Sequence, residues 1–305
     1  MHIDIKEYLS GFKNVEIDYI ANPGNGGDAL ISAGTYQLFD SVGLTYNIVN
    51  RDKNSYKNKV IFYSGGGNLG QMKNFSSRFL SKIYGSVEKL VILPHTIKNI
   101  DPLLGLFKSN VDIFCREQVS FDYVKKSGTQ ANIYLAHDLA IGLDVGMLLN
   151  YDPNLSKKMG IVFSYLLAKS KISGHQPPSF SALEKIFKVS AILKKMNAVS
   201  AVDKKTLQAF RTDSERTAMV LPINNLDLSN LLEMGVELKE LAYMNSHYFL
   251  SFLNQFSLVR TNRLHVGIGA TLLGKDVEFY ENSYYKCKAV YDYTLKDFSN
   301  IKYMN

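Results

Sequence analysis

The chain has 305 residues, 46% of them apolar and 21% charged, and a formal net charge of +7. This composition supports buried cores and argues against disorder, and the length suggests two domains. Cys115 and Cys287 are too few for a disulfide framework, and with no secretory leader they read as reduced thiols of a cytoplasmic protein. No stretch approaches the roughly 18 apolar residues of a membrane-spanning helix, and no nucleic-acid motif accompanies the basic excess.

Residues 15–20 (VEIDYI) are β-branched and read as a strand. The loop ANPGNGGD follows, then a helix over 29–39 and a short strand over 46–49. A strand over 59–64 runs into GGGNLG, and a helix over 75–84 follows. A strand over 89–93 ends in PHTI; a strand over 111–115, a helix in QVSFDYVKKSG and a strand over 132–135 complete the first half. Apolar strands alternating with helices imply a parallel sheet covered on both faces. Ligands of such sheets bind beyond the strand C-terminal ends. Residues 151–205 are rich in Lys, Ser and Leu, contain Pro177–Pro178, and show helical periodicity over 183–196, so they read as a helical linker or insertion. Residues 207–210 and 218–221 look like strand material, 258–259 a short strand, 266–273 a closely packed small-residue helix and 277–280 a strand before a helix-like tail. The expected division is an N-terminal domain over 1–150 and a C-terminal domain over 151–305.

Several loops carry residues suited to chemistry. Gly24-Asn25-Gly26-Gly27-Asp28-Ala29 follows a strand and opens a helix, and with Asp52 it outlines a dinucleotide fingerprint. Asp28, however, puts a carboxylate where a pyrophosphate would sit, so contact with another ligand competes with a plain helix start bearing a favourable charge. Gly65, Gly66 and Gly67 with Asn68 permit close backbone approach and an anion-binding nest, or simply a tight turn. Arg116 ends a strand and points to the ligand crevice, or else pairs at the surface with Glu117 or Asp122. His95 and His137, also at strand ends, line a cleft or serve packing. Arg260-Thr261-Asn262-Arg263-Leu264-His265 is the most telling stretch. Guanidinium forks match carboxylate and phosphate, a helix N-terminus adds positive potential, and a histidine beside the anion supplies a proton near neutral pH. No spacing suggests a metal site, a G-x-S-x-G elbow or a Walker loop. Lysines cluster between Lys157 and Lys205, as a solvated face or as a peripheral contact with an anionic membrane surface.

The ordered set GNGGDALI (24–31), GGGN (65–68), LPHTI (93–97), Cys115-Arg116-Glu117 with Ser120, AHDLA (136–140), FRTDSE (210–215), RTNRLH (260–265) and ENSYYK (281–286) resembles the polysaccharide pyruvyl transferase family. The resemblance implies an α/β fold of two Rossmann-like domains facing a cleft, similar to GT-B glycosyltransferases. It implies transfer of pyruvate from phosphoenolpyruvate to sugar hydroxyls, usually as a cyclic ketal, with His265 as the general acid and Arg116, Arg263 and the main chain of Leu264 holding the donor. Asn25, Asp28, Gly66, Gly67, Asn68, His95 and Lys286 would line the cleft. No cofactor or metal is called for, and the acceptor would be a lipid-linked or free oligosaccharide of a capsule or exopolysaccharide. Family members often carry Gln where His95 stands. The rival readings are a GT-B glycosyltransferase using a nucleotide sugar, a dinucleotide oxidoreductase, and a sugar-binding protein without activity.

Overall fold

The computed structural model describes residues 3–22, 24–49, 51, 56–169 and 179–304. Asp52 and Pro177–Pro178 lie outside them. Two compact units divide the chain: Met1–Asn22, Gly34–Gly142 and Ala168–Pro177 form the first, and Pro23–Ala33, Leu143–Leu167 and Pro178–Asn305 the second.

The first unit contains α1 (Ile5–Ser10), β1 (Glu16–Ile20), most of α2 (Gly26–Val42), β2 (Thr45–Ile48), β3 (Val60–Tyr63), β4 (Gly66–Leu69), α3 (Phe75–Ile83), β5 (Lys89–Ile97), α4 (Asp101–Leu106), β6 (Val111–Cys115), α5 (Gln118–Lys126) and β7 (Asn132–Leu135). The strands form one parallel sheet in the order β2-β1-β3-β5-β6-β7, with β4 pairing only with β5. Every residue of β3 and β6 is buried, as a sheet covered on both faces demands. The chain leaves β1 for β2 on one side and returns to β3 on the other. Such a reversal opens a crevice at the strand C-terminal ends, here at Asn22 and at Ser64 to Gly66.

The second unit contains the start of α2, α6 (Val145–Leu149), all but the last two residues of α7 (Leu155–Lys169), α8 (Phe180–Ser200), β8 (Thr206–Ala209), α9 (Leu228–Leu231), α10 (Lys239–Leu253), β9 (Leu258–Thr261), α11 (Leu264–Leu272), β10 (Asp276–Tyr280), α12 (Lys286–Tyr293) and β11 (Ile301–Met304). Its parallel sheet runs β11-β10-β9-β8. Small residues let α11 press close to its neighbours. A methyl on Gly267 would stand 3.1 Å from the Phe279 ring, and one on Gly269 about 3.3 Å from Leu250, Leu253 and Leu30. Among the described residues, no helix is long and apolar enough to cross a membrane.

The structure departs from the sequence reading at several points. Residues 218–221 form no strand: they lie in an open loop where Val220 is 92% exposed, and β8 pairs only with β9. The tail ends in β11, beside β10, and Asn300 fixes the entry by donating to the Thr271 and Lys275 carbonyls at 3.0 and 2.8 Å. The GGGN stretch is not a free nest, because Gly66–Leu69 joins the sheet as β4. Helix α10 escaped the sequence reading because its buried positions run almost all the way round it, leaving no amphipathic period.

Gly34 in α2 meets the turn after β7. A methyl there would stand 2.3 Å from the Leu139 carbonyl oxygen. Alanine is the better helix former by about 1 kcal/mol, yet Gly34→Ala is expected to destabilise the protein by about 1–3 kcal/mol through overpacking. Chemical denaturation reads this as a lowered midpoint; an unchanged or raised midpoint would refute the contact.

Candidate functional site

The corner between β9 and α11 concentrates the chemistry of the second unit. Thr261 ends the strand; its hydroxyl donates to the Ala209 carbonyl at 2.7 Å and accepts from the Arg263 amide at 2.9 Å. Asn262 is buried, and its carbonyl oxygen Oδ1 accepts from the Arg211 amide at 2.8 Å. Arg263 stands at the N-cap of α11 and makes no side-chain cap hydrogen bond, so its side chain satisfies none of the first-turn amides. A helix start of this kind favours an anion. Leu264 follows, buried, and then His265. From Thr261 to Ala270, His265 is the one residue that is not buried.

The glycine loop folds onto this corner. A methyl on Gly27 would stand 3.0 Å from both Cβ and Nδ1 of His265, so the absence of a side chain there makes room for the ring. Asn25 and Asp28 have a reciprocal capping job. Asn25 Oδ1 accepts from the Gly27 amide at 2.9 Å, and Asp28 Oδ2 accepts from the Asn25 amide at 2.8 Å. This is a capping box at the start of α2. It accounts for the N-x-x-D spacing without a dinucleotide.

Arg263 is not a loose cation. Its Nε and Nη2 donate to the two oxygens of Asp227 at 2.8 and 2.5 Å, and Nη2 lies 2.9 Å from Asp213. Asp213 also receives Nε and Nη2 of Arg211, both at 2.9 Å. Arg211 Nη1 and Lys286 Nζ converge on Glu215 Oε2 at 2.6 and 2.9 Å. Burial works against the charge of Asp213, but the hydrogen bonds from Arg211 and the charges of Arg263 and Arg211 outweigh it and hold the carboxyl at about 2. Glu215 is likewise lowered: Lys286 and Arg211 overcome its burial. The corner is thus a chain of alternating cations and carboxylates around Arg263. Asn282, in the ENSYYK stretch, is buried with no hydrogen-bond partner for either amide atom.

The first unit places a second set at its strand ends. Arg116 is 1% exposed; its Nε donates to Thr96 at 2.9 Å and its Nη1 to Asp138 at 2.6 Å. Its partner is therefore Asp138, neither Glu117 nor Asp122. Glu117 instead caps α5, accepting from the Ser120 amide at 2.8 Å. Asn22 Oδ1 accepts from Arg51 Nη2 and Asn68 Nδ2, both at 2.8 Å. Asn68 Oδ1 is 2.9 Å from His95 Nε2. Asn68 spends its amide nitrogen on Asn22, so Oδ1 is the acceptor and the His95 proton sits on Nε2. Burial, and then the charge of Arg116, lower the His95 pKa to about 3, so the ring is neutral. Gly66, at φ +145°, faces this group: a methyl would stand 3.4 Å from Asn68's partner Asn22 and 3.7 Å from His95. Gly67 follows it in β4, and His137 is exposed.

The structure divides the residues that the sequence reading put in one cleft: Asn25, Asp28, Arg263, Leu264, His265 and Lys286 lie in one unit, and Gly66, Gly67, Asn68, His95 and Arg116 in the other. The sequence reading did not single out their partners and neighbours Asp138, Arg211, Asp213, Glu215, Asp227 and Asn282. The AHDLA, FRTDSE and ENSYYK stretches signalled all of these except Asp227, which no motif marks. Among the described residues, no group of three His, Cys, Asp or Glu side chains could hold a metal ion.

The family model for polysaccharide pyruvyl transferases matches residues 25–283. A protein of Bacillus subtilis (strain 168) named "Putative pyruvyl transferase EpsO" is 26% identical over 306 residues, covering 93% of this chain and 88% of that protein. The crystal structure of a functionally uncharacterized protein, KP1_0663 of Klebsiella pneumoniae subsp. pneumoniae NTUH-K2044, is 29% identical, with a TM-score of 0.72 over 99% of this chain and 97% of that one.

The neutral His95 has a consequence for stability. Its folded pKa, about 3, lies below the ordinary 6.5, so its contribution is whole above pH 6.5 and declines as the pH falls toward 3. His95→Gln keeps a donor for Asn68 without a titrating ring. It is expected to flatten the loss of stability between pH 6.5 and about 4, read from denaturation midpoints across pH. Parallel profiles for the two proteins would remove His95 from this account.

Proposed function

The chain belongs to the polysaccharide pyruvyl transferase family, and from that premise we propose that it moves the pyruvyl group of phosphoenolpyruvate onto hydroxyls of a sugar in a surface-polysaccharide precursor, closing a cyclic ketal and releasing phosphate. The observation that carries the reading is the α11 corner, where a pinned arginine and a partly exposed histidine share a helix start with Gly27 opened against the ring. The polysaccharide acceptor is implied by the family. The donor, the ketal, a lipid-linked or free oligosaccharide acceptor of a capsule or exopolysaccharide, a cytoplasmic location and a GT-B-like pairing of Rossmann-like domains, 1–150 and 151–305, belong to this proposal.

The donor carries a carboxylate, a phosphate and an electron-rich methylene carbon. Protonation of that carbon by the His265 imidazolium leaves positive character at C2, which a sugar hydroxyl attacks, losing its proton. The C2–phosphate bond then breaks, and a second hydroxyl attacks C2 and loses its proton to close the ring. One diol and one phosphoenolpyruvate become one carboxyl-bearing ketal and one hydrogen phosphate, so the scheme balances without metal or redox cofactor. Arg263 and Arg116 neutralise the donor and the leaving phosphate, and the amides at Leu264 and His265 add the helix start. The acidic partners set each guanidinium plane in advance: Asp227 holds Nε and Nη2 of Arg263, and Asp138 with Thr96 holds Nη1 and Nε of Arg116. Such preorganisation spares reorganisation during the reaction. In this reading Asn25, Asp28, Gly66, Gly67, Asn68, His95 and Lys286 shape and line the site.

Calorimetric titration with phosphoenolpyruvate, with a nucleotide sugar and NADH as controls, tests the donor. Binding of phosphoenolpyruvate alone is expected, weakened by about 2–4 kcal/mol in Arg263→Ala and in Arg116→Ala. Thermal unfolding of both variants separates lost binding from lost folding. Binding of the nucleotide sugar instead would turn the assignment to glycosyl transfer. His265→Ala is expected to keep donor binding and abolish turnover; a near-normal rate would remove the general-acid role.

A further inference from the structure

Residues 152–205 carry ten lysines against Asp152, Glu184 and Asp203. Their net charge of +7 equals that of the whole chain, so everything outside this segment is electrically balanced. The same segment holds an unusual helix. In α7, Leu155, Met159, Phe163 and Leu166 recur at helical spacing and are 68, 52, 61 and 57% exposed, while Ile161 on the opposite side is 1% exposed. The other exposed positions of α7 before its end are Ser156 and Gly160, so the outward face bears no charge. Surface helices place such stripes inward; here the apolar stripe faces out. In α8, Leu183, Ile186, Val189 and Met196 are buried, and the outward positions combine Phe180 and Phe187, 71 and 50% exposed, with Lys194 and Lys195, while the outward Lys188 is paired with Glu184 at 2.5 Å.

We propose that the outward face of α7, together with the aromatic and lysine side chains of α8, docks on an anionic lipid surface. An apolar helical face seats itself at the boundary of headgroups and acyl chains, and neighbouring lysines meet anionic headgroups through flexible stems. A membrane surface supplies both the apolar layer and the negative charge that this segment lacks. A second copy of the chain fits poorly, because pairing two such faces brings together two segments of +7 each. The interaction is peripheral, since among the described residues no helix is fit to span a bilayer. It rests on no assumption about the reaction.

The test is sedimentation of the full-length protein with vesicles of phosphatidylcholine alone and with added phosphatidylglycerol, in low and high salt and without substrate. Binding to the anionic vesicles only, weakened by salt, is expected. Phe163→Glu with Leu166→Glu should abolish it with an unchanged thermal unfolding midpoint, since both side chains are exposed. Lys194→Glu with Lys195→Glu should weaken it more than about tenfold, each lysine near such a surface being worth roughly fivefold. Equal recovery with neutral and anionic vesicles, or full binding by a folded Phe163→Glu, Leu166→Glu variant, would overturn the proposal. So would a dimer in solution that those two substitutions dissolve while vesicle binding is absent.

Discussion

The bidentate pair between Arg263 and Asp227 holds the second unit's functional corner together. One carboxylate accepts from Arg263 through both oxygens and also from the Thr212 amide and hydroxyl and the Asn230 amide group. It thereby ties the turn after β8, the start of α9 and the N-cap of α11 to one point. A buried pair of this kind contributes little net stability over a well-packed apolar substitute, but loss of either partner strands a buried charge. Its value therefore lies in direction: the pair fixes the plane of the guanidinium.

The same device recurs in the first unit. Arg116 leaves the end of β6 and is pinned by Thr96 and Asp138, while the neighbouring His95 is kept neutral by burial and by that guanidinium. The two histidines of interest thus differ in setting. His95 is sealed inside a network of Asn68, Asn22 and Arg51, whereas His265 is the one residue between Thr261 and Ala270 that is not buried.

Much of this was legible in the chain because it is local. The step from β1 through GNGGD into α2 announces itself in a run of glycines, with Asp28 as a favourable charge in the first turn, whereas the reciprocal bonds of Asn25 and Asp28 came only with the structure. The small residues of VGIGA announce a close-packed helix, borne out by the approach of Phe279, Leu250 and Leu253 to Gly267 and Gly269. The partners of the arginines were not legible. Glu117 and Asp122 are the near neighbours of Arg116, yet Asp138 takes the bond from 22 positions away, and Asp227 reaches Arg263 across 36. Helix α10 was hidden because it is buried nearly all round, and β11 because four residues carry too little pattern to reveal a strand.

The sequence alone therefore determined the alternation of parallel strands and helices, the order of the glycine, arginine and histidine motifs that places the chain in its family, and the concentration of its net charge in one segment. These depend on composition or on periodicity within short windows, where backbone preference and side-chain type act directly. Only the tertiary structure decided that Gly27 makes room for His265, that Arg116 and Arg263 are each held by a distant carboxylate, and that the apolar stripe of α7 faces outward. Each of these is a contact, or a missing one, between groups far apart along the chain. Which groups meet depends on how the packed sheets and helices close the intervening loops, and no local window of residues contains that information.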